Sequence, residues 1–136
     1  MNADKRGLAL ISIVDDDESI RKGLGRLLKS VGFEVHGFGS AEEFLTSGDR
    51  QRSSCLILDL RMPGMDGLEL QSRLVADDWQ IPVIFLTAHS DEQARAQALK
   101  AGAIDFVSKP FNEASLIRDV NKAVEQHKLN TQLLVR

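Results

Sequence analysis

The segment SCLILDLRMPGMDGLELQSRLVA, residues 54–76, reads as one complete structural unit. Cys55 to Leu58 form a short, continuous apolar run, the pattern of a strand covered on both faces. The run stops at Asp59, and Pro63-Gly64 marks a turn. Asp66 and Gly67 then open a stretch of helical period over 67–77, with Asp66 as its cap and Leu68, Leu70, Leu74 and Val75 as its apolar positions. Whether the chain repeats this strand–loop–helix order decides the fold.

The order does repeat. Apolar runs at 8–14 (LALISIV), 33–38 (FEVHGF), 54–59, 82–87 (PVIFLT) and 104–108 (IDFVS) alternate with amphipathic stretches. The run at 33–38 alternates in polarity around His36 and predicts a more exposed strand. In 19–31, Ile20, Leu24, Leu27, Leu28 and Val31 share one helical face, and Gly32 follows as a stop. Ser40-Ala41-Glu42-Glu43 and Ser90-Asp91-Glu92-Gln93 both look like capping boxes, opening helices over 41–47 and 91–101. A last helix near Asn112 should bury Leu116, Ile117, Val120 and Val124. Strict alternation of five strands and five helices predicts an α/β fold with a parallel sheet. An open, doubly wound sheet with helices on both faces is expected, because a closed barrel needs eight such units.

Bulk properties narrow the function. The chain has 136 residues, 17 basic and 20 acidic, for a net charge of −3, and is 43% hydrophobic. That suits one soluble domain and argues against direct nucleic-acid binding by the domain itself. Cys55 is the single cysteine, so no internal disulfide can form, and its place in an apolar run predicts an inert, buried thiol. No apolar run is long enough to span a membrane, and the N-terminus does not read as a signal peptide; a cytoplasmic location is the default expectation. Residues 1–125 are expected to form the domain and 126–136 a helical extension or linker, with Leu129, Leu133 and Leu134 hinting at a helix that leads onward. His36 and His127 read as surface residues, and Trp79 as a cover for one edge of the core.

Sites in open parallel sheets form outside the carboxyl ends of the strands. Those ends carry Asp15, Asp16 and Asp17, then Asp59, then Thr87 and Ala88, then Ser108, Lys109 and Pro110. Gathered carboxylates repel unless protons or cations relieve them. Hard oxygen ligands suit Mg²⁺, and an ionised carboxylate beside such a cation can attack phosphorus to give an aspartyl phosphate. A lysine and the metal would spread charge on the phosphoryl oxygens in the transition state. Taken singly, each residue has a plainer reading: helix-end acids favoured by the macrodipole, a strand-end turn, β-propensity, a solvated lysine. Their joint occurrence at four strand ends does not.

IVDDDESIRKGL, LILDLRMPGMDGLEL, VIFLTAH and AGAIDFVSKPF together resemble the receiver domain of bacterial two-component response regulators, of the FixJ-like type. The resemblance covers about residues 8–125. It implies a flavodoxin/CheY-like (βα)5 sheet with strand order 2-1-3-4-5. It implies that Asp59 takes a phosphoryl group from a phosphohistidine of a sensor histidine kinase, with Mg²⁺ as cofactor. Asp16 would ligate the metal directly and Asp15 through water, with Asp59 and the backbone carbonyl of Arg61 completing the protein ligands. Thr87, Ala88 and Lys109 would bind the phosphoryl group, and the Lys109-Pro110 bond would be cis. Thr87 and Phe106 would form the switch, Phe106 turning inward on phosphorylation and repacking the face made by the fourth helix, fifth strand and fifth helix. A homodimer through that face is an allowed consequence. Arg61 and His89 stand where receivers vary. Asp17 is left as a helix-end acid.

Three other readings compete. A Mg²⁺-dependent phosphohydrolase of the haloacid-dehalogenase type would want an acid where Arg61 stands. A flavodoxin-like nucleotide binder would want Ser, Thr and Gly after the first strand instead of acids. A degenerate, binding-only receiver would lack part of the set. The expectation is a phosphoacceptor switch rather than an enzyme, with at most slow loss of its own phosphate. It is either the receiver of a FixJ-like transcription regulator or a stand-alone receiver.

Overall fold

The computed structural model describes the backbone of residues 8–89 and 91–135, and side chains in that range through residue 131. The stretch before Leu8, Ser90, and the side chains of Leu133 and Leu134 lie outside the described residues. The order is β1 (Leu10–Val14), α1 (Glu18–Ser30), β2 (Glu34–Phe38), α2 (Ala41–Thr46), a 3-10 turn (Asp49–Gln51), β3 (Ser53–Leu58), α3 (Gly67–Ala76), β4 (Val83–Thr87), α4 (Glu92–Lys100), β5 (Asp105–Ser108) and α5 (Glu113–Val135). All strand pairs are parallel, in the order β2-β1-β3-β4-β5. The sheet is open and doubly wound.

Alternation along each strand sorts the core into two layers. On β3, Leu56 and Leu58 face one way, toward Phe44 of α2, Leu70 and Leu74 of α3, and Ala94 and Ala98 of α4. Cys55 and Ile57 face the other way, toward Leu24 and Leu28 of α1 and Leu116, Val120 and Ala123 of α5. Leu28 and Leu116 are at most 1% exposed; burying such a side chain contributes roughly 1.5–3 kcal/mol each. Burial pushes the Cys55 thiol far up from its ordinary pKa, which leaves it unreactive. Trp79 packs against the first layer, with the Arg50 guanidinium 4.7 Å from its ring centre.

Several expectations need correcting. Val31 is 45% exposed, because α1 has already ended and Val31 is its C-cap. Val75 is 58% exposed; the buried stripe of α3 runs through Leu70, Gln71 and Leu74, and Val75 is a further 100° around the helix. The cap of α4 is Asp91, whose carboxylate accepts from the amides of Gln93 and Ala94, so the box read from Ser90 is displaced by one residue. At α2 the box is half formed: Ser40 accepts from the Glu43 amide, but Glu43 reaches past it to the amide of Gly39. His36 is no loose surface residue. Its Nδ1 lies 2.6 Å from Asp49 and its Nε2 3.1 Å from Glu34.

Candidate functional site: an acidic pocket at the carboxyl edge of the sheet

The central strands end in acids where their backbones are pinned to one another. The Asp59 amide donates to the Val14 carbonyl at 2.9 Å, and the Asp15 amide to the Phe38 carbonyl at 3.1 Å. Asp15 is 3% exposed and Asp59 is 7% exposed, while Asp16 points to solvent. Carboxylate oxygens of Asp15, Asp16 and Asp59 come within 4.8 Å of one another. Asp17 caps α1, accepting from the amides of Ser19 and Ile20, and so stands apart from the other three.

Asp15 is heavily restrained. One carboxylate oxygen accepts from Lys109 Nζ at 3.0 Å and the other from the Asp17 amide at 2.9 Å. Its carbonyl accepts from Arg21 at 2.7 Å. Asp59 is the opposite case: its Oδ1 is buried with no hydrogen-bond partner among the described residues. Burial raises the Asp59 pKa above the ordinary carboxylate value, and the negative Asp15 raises it further. Lys109, the Thr87 hydroxyl and the Leu60 amide act against that rise without cancelling it. A buried, unpartnered carboxylate oxygen among like charges fits a divalent cation and hard oxygen chemistry.

The remaining walls come from β4 and β5. Thr87 is fully buried, and its Oγ1 accepts from the His89 amide at 3.1 Å. Ala88 is exposed beside it. The Lys109 amide donates to the Thr87 carbonyl at 2.8 Å, and the Lys109-Pro110 peptide is cis. Phe106 is inside, 5% exposed, with its ring stacked on Phe85 at 5.7 Å. The resemblance placed it inside only after phosphorylation. Without a hydroxyl to hold it at the surface, nothing opposes burial of the apolar ring.

Besides Arg21, sequence reasoning missed three further supporting residues. Gly67 opens α3 so close to β3 that a Cβ would overlap the Asp59 carbonyl oxygen and sit 3.0 Å from the Phe85 ring. Glu42 of α2 accepts from the Met65 amide at 3.2 Å, tying down the loop that carries Arg61. Arg95 of α4 donates to the Phe106 carbonyl at 3.0 Å. Of these only Gly67 left a trace in the sequence, in the DG that follows the turn. The exposed guanidinium of Arg61 lies 3.5 Å from Asp91 at the start of α4.

Comparison with known proteins agrees with this geometry. The family model described as "Response regulator receiver domain" matches residues 11–121. Nodulation protein W of Bradyrhizobium diazoefficiens is 45% identical over 118 residues, covering 87% of this chain and 52% of that protein. The structure of the response regulator StyR superposes with a TM-score of 0.87 at 43% identity, over 93% of this chain and 64% of that one. The crystal structure of FixJ-N gives a TM-score of 0.78 at 40% identity, over 86% and 94% of the two chains. The chain spans about half the length of the curated relatives it matches. With its sheet order, its acidic pocket and these likenesses together, the chain belongs to the receiver domains of two-component response regulators.

Proposed function

We propose that Asp59 accepts a phosphoryl group from a phosphohistidine of a sensor histidine kinase. The observation that carries this reading is the buried, unpartnered Oδ1 of Asp59 beside two further carboxylates. An Asp59 oxygen forms the new O–P bond while the P–N bond breaks and its electron pair returns to the imidazole. Asp15, Asp16, Asp59 and the Arg61 carbonyl would hold Mg²⁺. When bound, the ion supplies positive charge for the carboxylates and the phosphoryl oxygens. Asp15 keeps Lys109 at the pocket through their 3.0 Å ion pair, ready to exchange that partner for a phosphoryl oxygen. The Thr87 hydroxyl, accepting from His89, still has its own proton to donate to the same group. The Ala88 backbone offers a further donor.

Thr87 and Phe106 form the switch in this reading. A shift of Thr87 toward the phosphoryl group draws on β5 through the bond from Lys109, and on α4 through Arg95 and the Phe106 carbonyl. The output is the α4-β5-α5 face, which could pair with a second copy. Residues 1–125 act as the receiver and 126–136 as a linker within a FixJ-like transcription regulator. Any loss of phosphate catalysed by the domain itself is slow. The test is labelling of the full chain by a small acyl phosphate. Label should appear on Asp59, require Mg²⁺, and fall to background in Asp59→Asn. Undiminished labelling of that variant would refute the assignment.

A further inference from the structure

A concentration of positive charge away from the acidic pocket lies on the far flank of α1. There α1 and β2 enclose a groove of about 340 Å³. Arg21, Lys22, Arg26 and Lys29 line it, against a single carboxylate, Glu18. This is a strongly positive strip on a chain of net charge −3. Glu18 pairs with Lys22 at 3.4 Å. Arg26 and Lys29 make no ion pair among the described residues and are exposed.

The floor of the groove is small and its wall is open. Gly25 is buried, and the missing side chain leaves room above Val35. Gly37 lets the Arg21 stem lie across the strand; a Cβ there would sit 3.3 Å from Arg21 Cδ. β2 is an edge strand, paired among the described residues with β1 alone. The Glu34 amide donates to the Ala9 carbonyl, and the Asp15 amide donates to the Phe38 carbonyl. In a parallel ladder this turns the even-numbered residues of β2 toward β1, and leaves the amides and carbonyls of Val35 and Gly37 facing the open edge.

We propose that this groove receives an extended acidic segment of a partner protein, laid as an added strand along β2 with its acids over α1. The backbone groups at Val35 and Gly37 match a peptide backbone. Lys22, Arg26 and Lys29 climb one side of α1 over about 10 Å. Alternate side chains of an extended peptide stand about 6.6 Å apart. Acids at every second position of the segment therefore reach successive cations. A nucleic acid would meet the charges but leave the strand edge unpaired. The groove is also on the other side of α1 from Ile20, Leu24 and Leu27; Arg21, at its edge, links it to the aspartate pocket through the Asp15 carbonyl.

The test is a titration of the isotopically labelled full chain with a capped peptide of alternating Val and Glu, followed by amide chemical shifts. Shifts are expected at Val35 and Gly37. The Val-Gln analogue should bind at least tenfold more weakly. Arg26→Glu/Lys29→Glu should lose at least tenfold in affinity, while Lys128→Glu, a distant charge reversal of the same sign, should not. Both altered side chains are exposed, and an unchanged thermal midpoint shows that the variant folds. The proposal fails if Val35 and Gly37 do not shift, if the double variant binds as wild type does, or if a DNA duplex or phosphatidylglycerol vesicle displaces the peptide and binds more tightly. In those cases the cations only guard a bare strand edge or serve a different polyanion.

Discussion

The two ends of the sheet treat charge in opposite ways. At the carboxyl end, Asp15, Asp16 and Asp59 crowd together with Lys109 as the cation in their midst. At the amino end most charges are matched, Arg52 with Glu34 and Asp49 and Arg50 with Asp77, and the His36 ring lies within hydrogen-bond reach of Glu34 and Asp49. Beneath that end, even the buried hydroxyls of Ser12 and Ser53 meet each other at 2.6 Å. One end is largely balanced as it stands; the other holds a carboxylate repulsion that Lys109 offsets only in part and that a bound cation would relieve further. The contrast locates function without reference to any relative, because folding alone would remove the unmatched end.

The largest effect should come from the joint that holds the carboxyl end in shape. Gly67→Ala drives a methyl group into the Asp59 carbonyl and against Phe85. It should lower stability by about 2–3 kcal/mol in urea unfolding, as overpacking does. Wild-type stability in that experiment would show that the two ends are not so differently built. Next comes relief by cation. Mg²⁺ at ten times its dissociation constant should add about 1.4 kcal/mol, and chelation should remove it. Asp59→Asn should blunt this gain and raise the urea midpoint of the metal-free protein, since it removes a buried charge from the repelling set. A metal-free variant less stable than wild type would break the comparison.

A smaller effect concerns an exception at the amino end, where Asp105, the first residue of β5, faces Asp119 of α5. Asp119 on α5 has its pKa pushed up to about 6 by burial first, then by its hydrogen bond to Asp105 and that residue's charge. Its folded value lies above an unfolded value of about 3.9, so the folded state binds the proton more tightly. Stability therefore falls as pH rises from about 4 to 6 and is level above that. The group is partly exposed, so solvent screening limits the drop to about 1 kcal/mol. Asp119→Asn should flatten that part of the stability–pH curve. The smallest effect belongs to the matched end: Arg52→Ala should cost about 0.5 kcal/mol, as partly exposed pairs do. A loss of several kcal/mol there would mean that the base, too, stores functional strain.

The fold was legible because period and punctuation are local. The LILD run, the PG turn and the recurrence of the pattern were enough for a parallel sheet. Asp15 and Asp59 were legible as strand-end acids, and Asp17 as a helix cap. Val31 misled because apolar identity does not say where a helix stops, and Val75 because it does not say which face of the helix it falls on. Asp91 displaced Ser90 as a cap because both residue types serve there equally well. His36 looked like an exposed strand residue because its partner Asp49 sits beyond α2, where no local pattern points. For the same reason the reach of Glu42 to Met65, of Arg21 to the Asp15 carbonyl and of Arg95 to the Phe106 carbonyl left no mark in the sequence. Such contacts depend on which loops the finished sheet brings side by side.

The length of α5 carries a mechanical meaning. Its first half is clamped to the sheet through Leu116, Val120 and Ala123, and the helix then continues without a break to Val135. At 1.5 Å per residue its 23 residues form a rod about 35 Å long. Because the clamp runs through Ala123, the free part is a lever of about 18 Å, and a tilt of about 5° of the clamped half would carry Val135 about 1.6 Å beyond the movement of Ala123. Whatever moves the clamped half thus arrives at Val135 enlarged, with no joint along the helix to absorb it.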